Sequence, residues 1–440
     1  MKRKNIFWYL GRIIETKIAE RVFTWYLLKV YCSRISKLKS KSSKPRLLWG
    51  SVPLINNKYW SQSLNQIGFT SKTIVTTPYS ANNSNDFDEI IQDSTSFEYY
   101  KFISRILREF DIVHMPYTGF VNERWDFLKK YEYDIFKRAG LKIISIPYGG
   151  DAYQYSKIYN YSRKQGLMFH YPQAGKNEKS VSENFNRVVK NSDCVISGHI
   201  IEGISFWDFL SFNILGIDLK NWDCQVKKHI KDGINGVVKI IHTPNHRKIK
   251  GTEFIIQAID ELKEEGFKIE FHLIENKTNE VVKSLMEEAD ILVEQLLRGY
   301  GLSLIEGMSM NAAVISNLED DEISTKVFRR FCILDECPAL SATPENIKEQ
   351  LKLLILNPEL RLHLGIKGRQ YVEKYHSYEM NQYLFPRIYD KIWYNEDIDL
   401  RIMFDPNEPN SYNNQSSKID HPLIENKIPN ELMKTLKTEF

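Results

Sequence analysis

From about residue 46 to 375, short apolar runs alternate with longer amphipathic stretches. Arg46-Leu-Leu-Trp49, Ser71 to Val75, Asp111-Ile-Val-His-Met115, Lys142-Ile-Ile-Ser-Ile146 and Cys194-Val-Ile-Ser197 read as buried strands. Between them, Lys58 to Ile67, Tyr99 to Glu109, Trp125 to Ala139 and Val181 to Lys190 carry apolar residues at helical spacing, and Gly68 and Gly140 close two of them. A second series opens with the strand Val237 to His242. It continues through helix Glu253 to Glu265, strand Ile269 to Ile274, helix Asn279 to Glu288, strand Asp290 to Gln295, helix Leu302 to Met310 and strand Ala312 to Ser316. Helices over Asn346 to Leu356 and Arg361 to Lys374 follow. Repeated strand–helix units predict an α/β fold with two doubly wound, Rossmann-like sheets.

Asp218 to Gly236 is polar and aperiodic. The expected division is therefore a first domain over 44–217, a linker over 218–236 and a second domain over 237–376. A further helix is expected within 377–395, over Glu379 to Tyr394, with Pro386 kinking or splitting it. Residues 396–440 read as a polar tail with at most short helices, such as Glu431 to Leu436.

Residues 1–43 follow another pattern. Phe7, Leu10, Ile14, Ile18, Val22, Trp25 and Leu28 recur at steps of three and four, one face of a helix. Arg12, Lys17, Arg21 and Lys29 interrupt the run, so no spanning stretch of about 20 apolar residues exists there. The same charges, and the lack of a small-residue cleavage site, argue against a signal peptide. Charge changes the picture. The chain is +4 overall, but residues 1–46 hold 13 Lys and Arg against Glu15 and Glu20, a local +11, leaving −7 for the other 394. Trp8, Tyr9, Trp25, Tyr26 and Tyr31 among these cations suit contact with an anionic membrane surface through residues 1–40. The competing reading is a helix packed on the globular body with a solvated basic face. Nucleic acid is not an expected partner, because no reader motif accompanies the charge.

Length and composition add bounds. A chain of 440 residues exceeds one ordinary domain, and 42% hydrophobic with 26% charged residues is a globular balance. Cys32, Cys194, Cys224, Cys332 and Cys337 show no paired spacing. Neither a disulfide framework nor a zinc site is expected, and free thiols in a reducing cytoplasm are the simplest reading.

Candidate chemistry gathers where loops leave strands. Ligands of doubly wound sheets bind beyond the carboxyl ends of strands. In the second series one such loop, Arg247-Lys-Ile-Lys250-Gly, is basic. Another, Arg298-Gly299-Tyr300-Gly301, is glycine-rich and precedes a helix that begins at Leu302 and Ser303. Cations beside a helix N-terminus suit a diphosphate. Glu306, in the first helical turns, is placed to reach a ribose hydroxyl, though a solvent-facing Glu at an ordinary junction has the same pattern. In the first series His114 ends one strand, and Gly149-Gly150-Asp151 follows another. Each reads either as a site residue or as structural: a capped strand-end His, an Asp starting a turn. Glu319-Asp-Asp-Glu322 reads as a solvated helix start rather than a metal site.

The ordered set His242-x-Pro-x5-Lys250-Gly-Thr252, Ala289-Asp290-Ile291, Gln295-Leu296, Gly299-Tyr-Gly301, Glu306-Gly-Met308 and Val314-Ile315 resembles the nucleotide-binding half of GT-B glycosyltransferases of the group 1 (family 4) type. Over 46–200 the resemblance is topological, helped by Gly149-Gly150-Asp151, which is similar to a Gly-x-Asp turn of the acceptor domains. The resemblance implies two Rossmann-like domains facing across a cleft. It implies a nucleotide-sugar donor in the second domain, expected to be a UDP-sugar, and a glycan or lipid-linked acceptor on the first. Retention at the anomeric carbon is implied, with no metal and no cofactor beyond the donor. Carried over by position, Arg247 and Lys250 hold the diphosphate. Glu306 matches the ribose-binding second Glu of the Glu-x7-Glu motif. The first Glu falls at Arg298, a departure that makes an inactive scaffold binding glycan or nucleotide the alternative. Gly50 stands in for an acceptor-side glycine, and His114 is similar in position to a strand-end His of that domain. The helix Glu379 to Tyr394 is the candidate to cross back to the first domain. A cytoplasmic enzyme, peripheral at the inner face of the membrane, is the expected setting. Another GT-B user of UDP-sugars, such as an epimerase, is the third reading.

Overall fold

The computed structural model describes residues 16–39, 43–79, 82–83, 85–91, 95–198, 201–210, 214–227, 231–297, 299–318, 334–423 and 427–437. The first half is one parallel sheet of β1 (Arg46–Trp49), β2 (Thr70–Val75), β3 (Glu89–Ile90), β4 (Ile112–Met115), β5 (Lys142–Ser145), β6 (Cys194–Ser197) and β7 (Phe209–Leu210). Its strand order is β3-β2-β1-β4-β5-β6-β7. The second half is a parallel sheet of β8 (Val238–His242), β9 (Ile269–Leu273), β10 (Ile291–Val293), β11 (Ala313–Ser316) and β12 (Leu340–Ser341), in the order β12-β11-β10-β8-β9. Strands such as Ile-Val-His-Met in β4 and Ala-Val-Ile-Ser in β11 are buried along their whole length, as parallel strands covered on both faces must be. These are the two doubly wound, Rossmann-like sheets that the sequence pattern predicts. Strand order reverses between β1 and β4 in one sheet and between β8 and β10 in the other. Those two reversals fix where ligands enter.

The helix Tyr378–Ile392 packs on Ile55–Gln66 of the first half. It buries Leu384, Phe385, Ile388, Tyr389 and Ile392. Each such side chain contributes about 1.5–3 kcal/mol when fully buried. Phe385 meets Trp49 edge-on at 5.0 Å, and Tyr389 donates to His114 Nε2 at 2.9 Å. Pro386 lies inside this helix and does not divide it.

Two expectations change. Residues after Glu396 are not a loose tail. Leu400, Met403, Phe404, Ile419 and Leu423 are buried, and the Ile419 N–H donates to Glu336. Their apolar residues are spaced for irregular packing, so no period announces them. The N-terminal helix, continuous over 16–38, does pack on the first sheet's helices, as the competing reading has it, but by the face opposite to Ile18, Val22 and Trp25. Leu27, Cys32 and Ile35 are buried, and so are Glu20 and Thr24, while Ile18, Val22 and Trp25 are exposed. Glu20 is tolerated there because its carboxylate accepts the N–H groups of Phe127 at 2.9 Å and Leu128 at 3.2 Å. Among the described residues no helix is long and apolar enough to cross a membrane.

Candidate active site

The carboxyl ends of β8 and β10 carry His242 and the residue after Val293, Glu294. His242 is buried, with Nδ1 2.7 Å from the Val293 carbonyl and Nε2 2.8 Å from Thr252 Oγ1. A carbonyl only accepts, so Nδ1 holds the proton and Nε2 accepts from the hydroxyl. Burial depresses this imidazole to about pKa 4. His242 is thus a neutral strut. It ties β8 to β10 and to the first turn of the helix Thr252–Glu264, fixing both ends of the basic loop.

Lys250 closes that loop. Its ammonium lies 3.2 Å from Oε1 of Glu294, a carboxylate with no exposure at all. The same oxygen accepts from Ser303 Oγ at 3.3 Å, and Oε2 accepts from Ser316 Oγ at 2.6 Å. A buried carboxylate needs such partners, since an unpaired one costs several kcal/mol. Glu294 also sits beneath the start of the helix Leu302–Ser309, whose partial positive charge favours an anion. A Cβ at Gly301 would stand 2.5 Å from Glu294 Oε1, and one at Gly299 would stand 1.7 Å from the Asn317 carbonyl. The glycines of this loop are required by close approach to the chain's own atoms. An ammonium has three N–H donors, and Glu294 takes one.

Glu306 lies on the second turn of that helix and is buried. Burial pushes its carboxyl up to about 8, with the Lys250 charge pulling it down and Glu294 pushing it further up. Near neutral pH it holds a proton and can both donate and accept. From the first half comes Tyr59, whose hydroxyl pKa is raised by burial and then by the Glu306 charge. Lys250, Ser303, Glu306 and Glu294 therefore form one polar group at the strand-order reversal. Glu294 was not among the sequence candidates. A Glu ending an apolar strand looks like the first residue in solvent, and only its position two residues past Leu292 in a buried run hints otherwise.

Other candidates stand elsewhere or turn away. Arg247 is held by Glu253 through two bonds, at 2.8 and 3.1 Å, and by Glu275 at 3.1 Å, which turns it toward the edge strand β9. Tyr300 adopts a left-handed backbone, φ 58°, and points into the core. Its hydroxyl lies 2.5 Å from the Tyr371 hydroxyl and 2.6 Å from His376 Nε2. It anchors the glycine loop, and its side chain points away from Lys250 and Glu294. Leu302 is half-buried at the helix start. Arg298 lies outside the described residues, as does the acidic run 319–322.

On the first sheet, His114 is not poised to move a proton. It stacks on Trp49 with 3.5 Å between centroids, its Nδ1 lies 3.0 Å from the Leu48 carbonyl, and its Nε2 accepts from Tyr389. Burial holds it neutral, with a pKa near 3. Asp151 is likewise structural, accepting the N–H groups of Tyr117, Tyr148 and Gly149 at 2.9–3.0 Å. Gly150, beside it, faces open space, with no atom within 4 Å of where a Cβ would stand. Gly50, Asn57, Trp60, His114 and Tyr148 line a small hollow at the reversal of the first sheet.

A feature the sequence did not announce spans the two halves. The helix Tyr161–His170, between β5 and β6, rests on the basic loop of the second sheet, and the short helix Pro172–Lys176 follows it. Leu167 and Ile249 share a small apolar core with Tyr153, Tyr155 and Ile158. Tyr171 hydrogen-bonds His246, and Gly166 lets the backbone come close to Leu297.

No protein-family model matches the chain, and no curated protein does. Solved structures do. HepE of Anabaena, in complex with UDP-glucose, is 9% identical and covers 77% of this chain and 98% of its own, with a TM-score of 0.48. The wall teichoic acid polymerase TagF is 13% identical over 90% of this chain and 99% of its own, TM-score 0.42. A UDP-GlcNAc 2-epimerase from Neisseria meningitidis is 16% identical over 74% of this chain and 98% of its own, TM-score 0.36.

Proposed function

We propose that this chain is a glycosyltransferase that moves a sugar from a nucleotide-sugar donor, a UDP-sugar, to a glycan or lipid-linked acceptor. The observation that carries it is the convergence of Lys250, Ser303 and Glu306 beneath a helix N-terminus at the strand-order reversal of the second sheet. In this reading the two remaining donors of Lys250 and the first N–H groups of the helix take the diphosphate. Departure of the nucleotide builds charge on its outer phosphate. Preplaced donors stabilise that charge more in the transition state than in the ground state. The protonated Glu306 donates to one ribose hydroxyl and accepts from the other. The acceptor enters from the first sheet, over the hollow lined by Gly50, Trp60 and Tyr148. Retention, the lack of a metal requirement and a peripheral place at the inner face of a membrane belong to the same proposal.

The second reading is a silent scaffold that binds nucleotide or glycan. Its support is that Arg247 and Lys250 are already met by carboxylates, and that Arg298 stands where the family has an acid. One panel separates them. Thermal shift with UDP, GDP, dTDP and CMP, and with their common sugars, is followed by donor turnover, each with and without EDTA. At 100 times Kd a nucleotide stabilises by about 2.7 kcal/mol. A shift with uridine compounds that Glu306→Ala abolishes, with release of UDP over time, supports the transferase. A shift without turnover supports the scaffold, and no shift with any nucleotide rejects both donor assignments.

A further inference from the structure

The helix over 16–38 has two faces of different chemistry. One face is part of the core of the first half. The other, turned away from the protein, shows Ile18, Val22 and Trp25 at 58%, 60% and 59% exposure. At steps of four and three they make a single stripe, flanked by exposed Tyr26. Phe97 of the adjoining helix is exposed too, its ring 6.2 Å from that of Phe23. The charged residues on this outer face, Lys17, Arg21, Lys29, Arg34 and Lys37, are all cations. The one acid of residues 16–39, Glu20, is buried on the inner face. Lys17 is engaged by Asp126, and Arg21 lies over the Phe127 ring at 5.6 Å. Among the described residues Lys29, Arg34 and Lys37 meet no carboxylate.

We infer that this outer face lies on an anionic lipid bilayer. Tryptophan, tyrosine and aliphatic side chains interleaved with cations of one sign match an interface that is apolar within and negative at its surface. Ordinary helix surfaces of a folded body mix both signs. The orientation follows from the docking of the inner face. Glu20, near one end of the helix, binds the N–H groups of Phe127 and Leu128, in the connection after β4. Near the other end, Lys39 meets the Phe110 carbonyl, just before β4. The helix therefore runs antiparallel to the strands, and its beginning lies on the side where the first sheet opens to the cleft. Bilayer contact along it brings the acceptor side of the cleft to the membrane surface. This deepens the lipid-linked acceptor and the membrane placement of the proposed function and rests on that reading, while the contact itself is argued from the helix face.

Flotation of the full chain with phosphatidylcholine vesicles, with and without phosphatidylglycerol, tests it. The full chain floats with the anionic vesicles and not with the neutral ones. Each cation near an anionic surface strengthens partition about five-fold, so Lys29→Gln, Arg34→Gln and Lys37→Gln together weaken it about a hundred-fold. Ile18→Ser, Val22→Ser and Trp25→Ser together weaken it about ten-fold or more. Those side chains are exposed, so melting temperatures confirm that both variants fold. Equal flotation with neutral vesicles, or unchanged flotation of either variant, overturns the inference. So does a stripe variant that turns a dimer into a monomer while still floating, which assigns the face to a second copy of the chain. UDP thermal shifts on the same variants stay as in the parent protein. A failure of membrane binding is thereby distinguished from a failure of the donor site.

Discussion

Lys250→Met removes the cation that pairs with Glu294 and leaves that carboxylate buried. Losing one partner of a buried ion pair typically costs about 3–5 kcal/mol. Glu294 keeps the hydroxyls of Ser303 and Ser316, each worth about 1 kcal/mol net, so the expected loss is about 2–4 kcal/mol. Glu294→Gln in the Lys250→Met background removes the charge but keeps the shape, and should recover most of that loss. Urea unfolding of the four proteins, read from a transition common to all, gives the coupling energy of the pair. A single Lys250→Met variant within about 0.5 kcal/mol of the parent would refute the reasoning, because a surface substitution away from any buried pair gives that result. So would a double variant no more stable than the single one. The cycle also separates two roles of the lysine. If the double variant is stable yet shows no UDP shift, the ammonium is needed for the nucleotide itself. If it binds UDP normally, Lys250 serves only to neutralise Glu294, and the donor site must be sought elsewhere.

Glu306 gives a pH signature. Its carboxyl is raised to about 8 in the folded protein, against 4.5 ordinarily, so the folded state holds the extra proton between those values. Stability present below about pH 4.5 is therefore lost as pH climbs toward 8. Glu306→Gln should flatten this slope of the melting temperature, and an unchanged slope rejects the assignment. Tyr300→Phe strips the hydroxyl from the buried Tyr371 and His376, which should cost about 1–3 kcal/mol in thermal or chemical unfolding. Full stability in that variant means the cluster is loose. Gly299→Ala drives a methyl into the Asn317 carbonyl and should weaken UDP binding with little change in far-UV circular dichroism. Normal binding there removes the loop from the donor site. His114, neutral with a pKa near 3, should leave no inflection between pH 5 and 8 in a turnover profile that His114→Gln removes.

What was readable in the chain follows from where the physics is local. β8, β10 and the helix Leu302–Ser309 are each set by a few neighbouring residues, and their order announces the second Rossmann-like sheet. Glu294 and His242 are different. Their environment is made by strands 51 positions apart, as with His242 and Val293, so no short window carries it. The N-terminal helix was half legible for a related reason. Periodicity reports that Ile18, Val22 and Trp25 share a face, but not which face the protein buries. The inner face instead buries Glu20 and Thr24, whose partners, backbone N–H groups and the Tyr100 hydroxyl, lie about 80–110 residues away. The helices 161–170 and 172–176 carry exposed Tyr161 and Phe169 and a central Gly166, a composition that gives no amphipathic signal. Arg247 looked like a phosphate ligand because it sits beside Lys250 in sequence. One helical turn sends the two side chains to different carboxylates.

The helix Tyr378–Ile392 sets a timetable for the ribosome. Tyr389 meets His114 across 275 positions, and Tyr378 meets Gln62 across 316. At roughly 5–20 residues per second, the last partner of β4 is translated about 15–55 s after the strand itself. Through that interval Trp49, Trp60 and Phe69 present the apolar cradle that Phe385 and Tyr389 later fill. Until that helix is made, the first sheet carries an uncovered apolar face, the kind of surface that makes a partly folded chain prone to aggregate. A ribosome stalled before residue 378 displays the first sheet with that cradle unfilled.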